Sequence, residues 1–502
     1  MMDVYGKFFL DFMKPFFGGI IDLFKYLFIN LFQIFNVFNY YEVIKKYGKD
    51  MTGFGGVIVI VSILCLLALF GIIIFLLVKG IKKYRRYLKN RSKQESLVEE
   101  VENLNMDVLR LRQENQKFLS MADPENSGIE FDEDGNVIKL KEGESRFYKL
   151  TKVDEEMENY TAPTYANNVT LEEFCTQFRN YAASELGLYY TIDMIRLFVS
   201  AFASNRLIIL QGISGTGKTS LAYAMGSFIN NDSVIASVQP SWRDSTEFLG
   251  YFNEFTKRFN ETEVLKKMYE ATYKKDIYVT VLDEMNIARV EYYFAEMLSI
   301  LELPEHDEWI VNLVSNGWDN DPKKVIEGRF QLPENMWYIG TINNDDSTFM
   351  VTDKVYDRAM PIEINEKCDA FEAPHTEKAS IDYMYFEKLF KDAQAKYHIS
   401  SEAMQKLNKM DEYNIEHFRI SFGNRIVRQI NDFVPVFVAC GGNEMQALDY
   451  IIAHKILRKF DQLNSNLIKN ELDDYIKFME DLFGKDDIKE CLYFLDRYKK
   501  SI

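Results

Sequence analysis

No two of the five cysteines, Cys65, Cys175, Cys368, Cys440 and Cys491, form a CxxC pair. That excludes a disulfide framework and a zinc-ribbon pattern, and it fits a reducing compartment for the body of the chain. Beyond residue 93 acid outweighs base, 71 Asp/Glu against 45 Lys/Arg. The chain carries −17 in all, yet residues 1–93 hold 14 Lys/Arg against 5 Asp/Glu, which leaves −26 on the remainder. So acidic a body has no long-range attraction for nucleic acid, itself a polyanion, and direct nucleic-acid binding is not expected. Nor is a nuclease motif present. Hydrophobic residues make up 47%, enough for packed cores, which argues against wholesale disorder.

Charge of either sign is missing from Met51 to Val78, a run of 28 residues. About 20 apolar residues span a bilayer core, so the run reads as a transmembrane helix. Eight basic residues follow: Lys79, Lys82, Lys83, Arg85, Arg86, Lys89, Arg91 and Lys93. Only Lys45, Lys46 and Lys49 lie close on the other side. The positive-inside rule then gives a single-pass protein of the inner or plasma membrane with a cytoplasmic body. The apolar run is too long and too far from the start for a signal peptide. Residues 1–50 read as amphipathic helices lying in the membrane interface. Asp3, Lys7, Asp11, Lys14, Asp22 and Lys25 share one helical face, with Phe, Leu, Ile and Tyr opposite. Pro15 and Gly18-Gly19 break this stretch in two. A second span over 16–41 is disfavoured, because Asp22, Lys25 and four amide side chains would be costly in the bilayer centre.

Beyond the basic flank (51–93 with the span), Leu97, Val101, Leu104, Val108, Leu111, Asn115 and Phe118 alternate at spacings of four and three. This heptad seam predicts a short coiled-coil stalk over 94–121, or else one amphipathic helix packed on its own body. Residues 122–170 read as a linker with one β-hairpin turning at Asp134-Gly135.

"NRLIILQGISGTGKTSLA" reads as strand, loop, helix, with Gly212–Thr219 matching GxxxxGK[ST]. Gly212, Gly215 and Gly217 let the backbone turn its N–H groups toward phosphates. With Ser214, Thr216 and Ser220 they form the cradle at the positive end of a helix. Lys218 would reach the β and γ phosphates, and the Thr219 hydroxyl would bind Mg²⁺. A second apolar strand ends in Asp283-Glu284, one carboxylate for Mg²⁺ and one to activate water. A third strand ends at Asn343, an amide placed for the γ-phosphate or the water. Arg358 follows about 15 residues later and could serve a neighbour's site more easily than its own.

This order of parts resembles the AAA+ ATPases, most closely the branch with McrB-like, MoxR and dynein-related members. "LQGISGTGKTSLA", "DEMNIARVEYYFAEMLSILE", "LPENMWYIGTINNDDS", "DKVYDRA" and "SFGNRIVRQI" carry the resemblance. It covers residues 170–465. It implies an α/β fold, a P-loop parallel sheet over 171–366 with a helical lid over 367–502, behind the transmembrane helix and coiled coil. It also implies Glu284 as catalytic carboxylate, Asn343 as sensor 1, Arg358 as a finger acting in trans and Arg425, before Arg428, as the sensor-2 arginine of the lid. Self-association into a hexameric ring, a separate effector or adaptor protein, and ATP with Mg²⁺ follow from it too. McrB-like GTPases carry Met-Asn-x-x-Asp-Arg at the sensor strand. Here Ile342-Asn343-Asn344-Asp345-Asp346-Ser347 lacks the Arg, so ATP is favoured and GTP stays open. A non-hydrolysing nucleotide switch that gates a membrane effector is the other class of reading.

Overall fold

The computed structural model describes residues 143–501, apart from 255, 344–347, 464–467, 469 and 470, together with scattered positions between 22 and 140. The chain divides into two units, residues 1–119 and 120–502. In the first unit every described position is helical and exposed, including Asp22, Lys25, Val57, Ile60 and Leu64. Among the described residues no helix is long and apolar enough to cross a membrane. The predicted span at 51–78, the heptad seam and the Asp134-Gly135 hairpin lie outside the described residues, but for three isolated positions of the span.

The second unit is built on five parallel strands: β1 (Leu207–Gly212), β2 (Val234–Ser237), β3 (Tyr278–Asp283), β4 (Met336–Asn343) and β5 (Ala359–Glu363), in the order β5-β1-β4-β3-β2. β1 is buried at all six positions and β4 at seven of eight. Unbroken apolar runs are what a parallel sheet covered on both faces demands. Alternate side chains therefore feed two cores. One face sends Ile208, Leu210, Val281, Trp337, Ile339 and Ile362 into a core shared with the helices. The other sends Leu207, Ile209, Leu282, Tyr338 and Ile342 toward two small antiparallel sheets, one pairing 250–253 with 258–261, the other joining 310–312, 325–326 and 329–331.

Helix α1 (Tyr148–Met157) lies within the stretch expected to be linker. Phe147, Leu150 and Val153 are fully buried, so this helix belongs to the core. Just ahead of it the buried Arg146 pairs with Asp321 at 2.7 Å, donates to the Asn316 carbonyl and stacks over the rings of Trp318 and Phe252. It thereby joins both small sheets. Asp154 of α1 accepts from the hydroxyls of Tyr269 and Tyr273 and from the Lys323 backbone.

Helix α2 (Leu171–Leu186) opens with a full capping box between Thr170 and Glu173, which satisfies two of its free N–H groups. Helix α3 (Ile192–Ser204) leads into β1, and α4 (Lys218–Phe228) follows it. Beyond β5 the chain is helical: α5 (Tyr383–Lys396), α6 (Ser401–Phe418), α7 (Asn424–Ala439), α8 (Glu444–Ile451), α9 (Leu472–Phe483) and α10 (Lys489–Ser501). Asp382 caps the start of α5 and Ser400 that of α6. One π-helical turn, Ile452–Ile456, extends α8 and buries His454 and Lys455.

Candidate functional site

The site forms where β1, β3 and β4, three neighbours in the sheet, reach their carboxyl ends. In open α/β sheets this is the edge where ligands bind. β1 turns into the phosphate loop at Gly212, whose φ of +143° suits glycine alone. A Cβ there would sit 2.3 Å from the Ile364 carbonyl oxygen, so the position is closed on steric grounds as well. Gly215 and Gly217 also take positive φ. Thr216 closes the turn by donating to the Ile213 carbonyl at 2.9 Å. Lys218 opens α4, is buried, and donates through Nζ to the carbonyls of Gly212 and Ile213 at 3.1 and 2.7 Å.

One carboxylate organises the second layer. Asp283 Oδ1 accepts from Thr219 Oγ1 at 2.7 Å and from Thr341 Oγ1 at 2.9 Å. The Thr341 hydroxyl in turn accepts the Glu284 N–H at 2.8 Å. The next residue, Glu284, takes φ of +52°, an uncommon conformation for a residue with a side chain. Its Oε1 accepts from Asn343 Nδ2 at 3.3 Å. The structure thus brings Lys218, Thr219, Asp283, Glu284 and Asn343 together from stretches up to 125 residues apart. Ser214 and Ser220 stand in the same loop and helix start.

The donor set fits Mg²⁺. A hydroxyl and a carboxylate 2.7 Å apart supply two oxygens, and Mg²⁺ typically takes few protein ligands, keeping water and substrate phosphate for the rest. Among the described residues no cluster of three or more His, Cys, Asp or Glu side chains could hold a metal by itself.

Both predicted arginines lie elsewhere. Arg358 immediately precedes β5, whose Ala359 registers with Leu207 at the start of β1. Five residues of strand, about 17 Å at roughly 3.3 Å each, therefore separate it from the phosphate loop of its own chain. Arg425 lies at the start of α7 and meets Arg358 at a shared carboxylate, Glu302, also away from the phosphate loop.

Four residues escaped the motif reading. Thr341 holds Asp283 and Glu284 in register. Asn286, nearly fully buried, donates to the Asn343 carbonyl at 3.1 Å and to Thr348 at 2.9 Å, tying the end of β4 to Thr348. Tyr190 donates to the Gly217 carbonyl at 2.9 Å, and burial raises its phenol above the ordinary value. Glu302 gathers the arginines. A hydroxyl inside an apolar strand, as in "YIGTIN", was the one signal available, since a buried hydroxyl needs a partner.

Residues 375–502 match a family described as a domain of unknown function, DUF8727. The chain is 26% identical over 179 residues to the EcoKMcrB subunit of the type IV methyl-directed restriction enzyme of Escherichia coli K12. That similarity covers 33% of this chain and 36% of the relative, so the chain spans about a third of that protein's length. A full-length MCM homolog from Methanopyrus kandleri shows a TM-score of 0.31 at 10% identity, over 57% of this chain and 59% of that one. The distant likeness to the restriction subunit supports a P-loop NTPase domain of the AAA+ class and singles out no branch of it.

Proposed function

We propose that this chain is a membrane-anchored AAA+ ATPase whose cycle remodels or activates a partner protein at the cytoplasmic face. The observation that carries the enzymatic part is the convergence of Lys218, Thr219, Asp283, Glu284 and Asn343 at one sheet edge. Lys218 would leave the loop carbonyls for the β and γ phosphates, a short move on a flexible stem. Glu284, steered by Asn343, would take a proton from the attacking water. Mg²⁺, held by Thr219 and Asp283, would neutralise charge developing on the phosphates. Arg358 cannot serve this site from its own chain, which favours a ring in which each copy completes its neighbour's site.

The uncharged run at Met51–Val78 with its basic flank supports the anchor, and the lost arginine after Asn343 supports ATP over GTP. The restriction-enzyme relative makes a defence setting a natural one. The test is hydrolysis of ATP and of GTP by the full chain in detergent, beside Glu284→Gln, with particle mass followed by light scattering. Turnover lost in the variant and a larger particle with nucleotide are expected. Binding without turnover, in either nucleotide and with lipid present, would leave a switch instead.

A further inference from the structure

Glu302 follows the short helix Ala295–Ile300 and ends at the sheet edge opposite the phosphate loop. Its two oxygens are shared by two guanidinium groups. Arg358 Nε donates to Oε2 at 2.7 Å; Arg425 Nε reaches Oε1 at 2.7 Å and Nη2 reaches Oε2 at 3.0 Å. One carboxylate against two arginines leaves a net positive charge. Arg358, Arg206 and Arg428 line a cleft of about 260 Å³ here with Glu302 and Glu387. It is a cationic spot on an otherwise acidic body.

The backbone around Arg358 is held with unusual thoroughness. Lys455 Nζ donates to the carbonyls of Tyr356 and Ala359 at 2.6 and 2.7 Å. Gln429 donates to the Asp357 carbonyl and Asn205 to that of Arg358 itself, each at 3.0 Å. Four consecutive carbonyls are thus capped by side chains from three elements. A solvated surface arginine would need none of this. The bracing fixes the turn, and Glu302 fixes the heads.

We propose that Glu302 is a positioning residue: it gathers Arg358 and Arg425 into one paired cation, presented to the triphosphate bound by a second copy of this chain. The proposal rests on the reading that Arg358 works across a ring interface. Arg358 and Arg425 keep N–H donors beyond those spent on Glu302, as recognition of phosphate oxygens requires. Glu302 therefore orients the two arginines without neutralising them both.

The experiment uses full-length chains in detergent. Glu302→Gln should lower kcat about tenfold with KM little changed, because an interaction made in the transition state is lost. Glu302→Asp, which keeps the charge, should recover part of it. The deciding measurement is mixing. Lys218→Ala cannot serve its own nucleotide but carries intact arginines; Glu302→Gln has the reverse defect. An equal mixture should hydrolyse ATP faster than the average of the two alone, and a mixture of Lys218→Ala with Arg358→Ala should do likewise. Rescue of Arg358→Ala without rescue of Glu302→Gln would overturn the role of Glu302 alone. Failure of both would overturn the cross-copy reading together with it. If Glu302→Gln does not fold, as judged by thermal unfolding, the same mixing is read with Glu302→Asp.

Discussion

Glu284 holds a backbone angle that most residues avoid, with its N–H tied to Thr341 and its carboxylate to Asn343. The angle aims the side chain out of the strand tip instead of along it. Glu284→Gln should therefore cost about 10²–10⁴-fold in hydrolysis, the usual share of a general base, while nucleotide still binds. A steady-state assay beside a binding titration separates the two. Thr341→Val keeps the shape and removes the hydroxyl. It takes the acceptor from the Glu284 N–H and a donor from the Asp283 carboxylate, so we expect a loss of about 1–3 kcal/mol by chemical denaturation, with Thr341→Ser restoring most of it. Chelating Mg²⁺ should stop turnover, since Thr219 and Asp283 would then face the phosphates with no cation between them. A turnover assay with and without excess chelator reads it, and undiminished hydrolysis would remove Mg²⁺ from the site.

At the scale of elements, the π-helical turn Ile452–Ile456 is where titration and structure meet. It sets Lys455 inside the protein, and burial pulls the ammonium down to about 7. Unfolded, the same group titrates near its ordinary 10.5. Between those values the unfolded chain binds more protons, so stability should rise as pH goes from about 7 toward 10 and stay flat, for this group, below 7. Lys455→Met should flatten that rise, measured by denaturant unfolding across the window; an unchanged slope would assign it to other groups. Legibility divides along the same lines. The phosphate loop and Asp283-Glu284 were readable because each function sits in adjacent residues on a strand–loop–helix pattern. Glu302 was not, because its partners lie 56 and 123 residues away and "ILELPEH" reads as an ordinary helix end. Helix α1 was missed for a similar reason. Its apolar stripe is only Leu150, Val153 and Met157 among five charged residues, and the core that buries it, like the partners of Arg146 and Asp154, comes from later hairpins and helices.

For the whole molecule, the order β5-β1-β4-β3-β2 keeps the phosphate edge and the arginine edge a full strand apart. On the proposed reading a monomer therefore carries both halves of the site and cannot close them on each other. Hydrolysis per chain should rise with protein concentration until assembly is complete, and a flat profile down to the dilute monomer would argue for a self-sufficient chain. The anchor is tested separately. The full chain should float with lipid vesicles after a high-salt wash, whereas recovery in the soluble fraction would dismiss the span.

Arg146 gives the body a mechanical handle. Its guanidinium grips Asp321 and the Asn316 carbonyl in the loop of one small sheet while stacking on Phe252 of the other, and it stands just ahead of α1. A pull transmitted along the backbone from upstream would load this clasp before it loaded any strand of the central sheet. The two hairpins would be tugged together, like two oars on one cord. If, as proposed, the upstream residues tie the body to a membrane, tension reaching Arg146 would be coupled to motion of the hairpins.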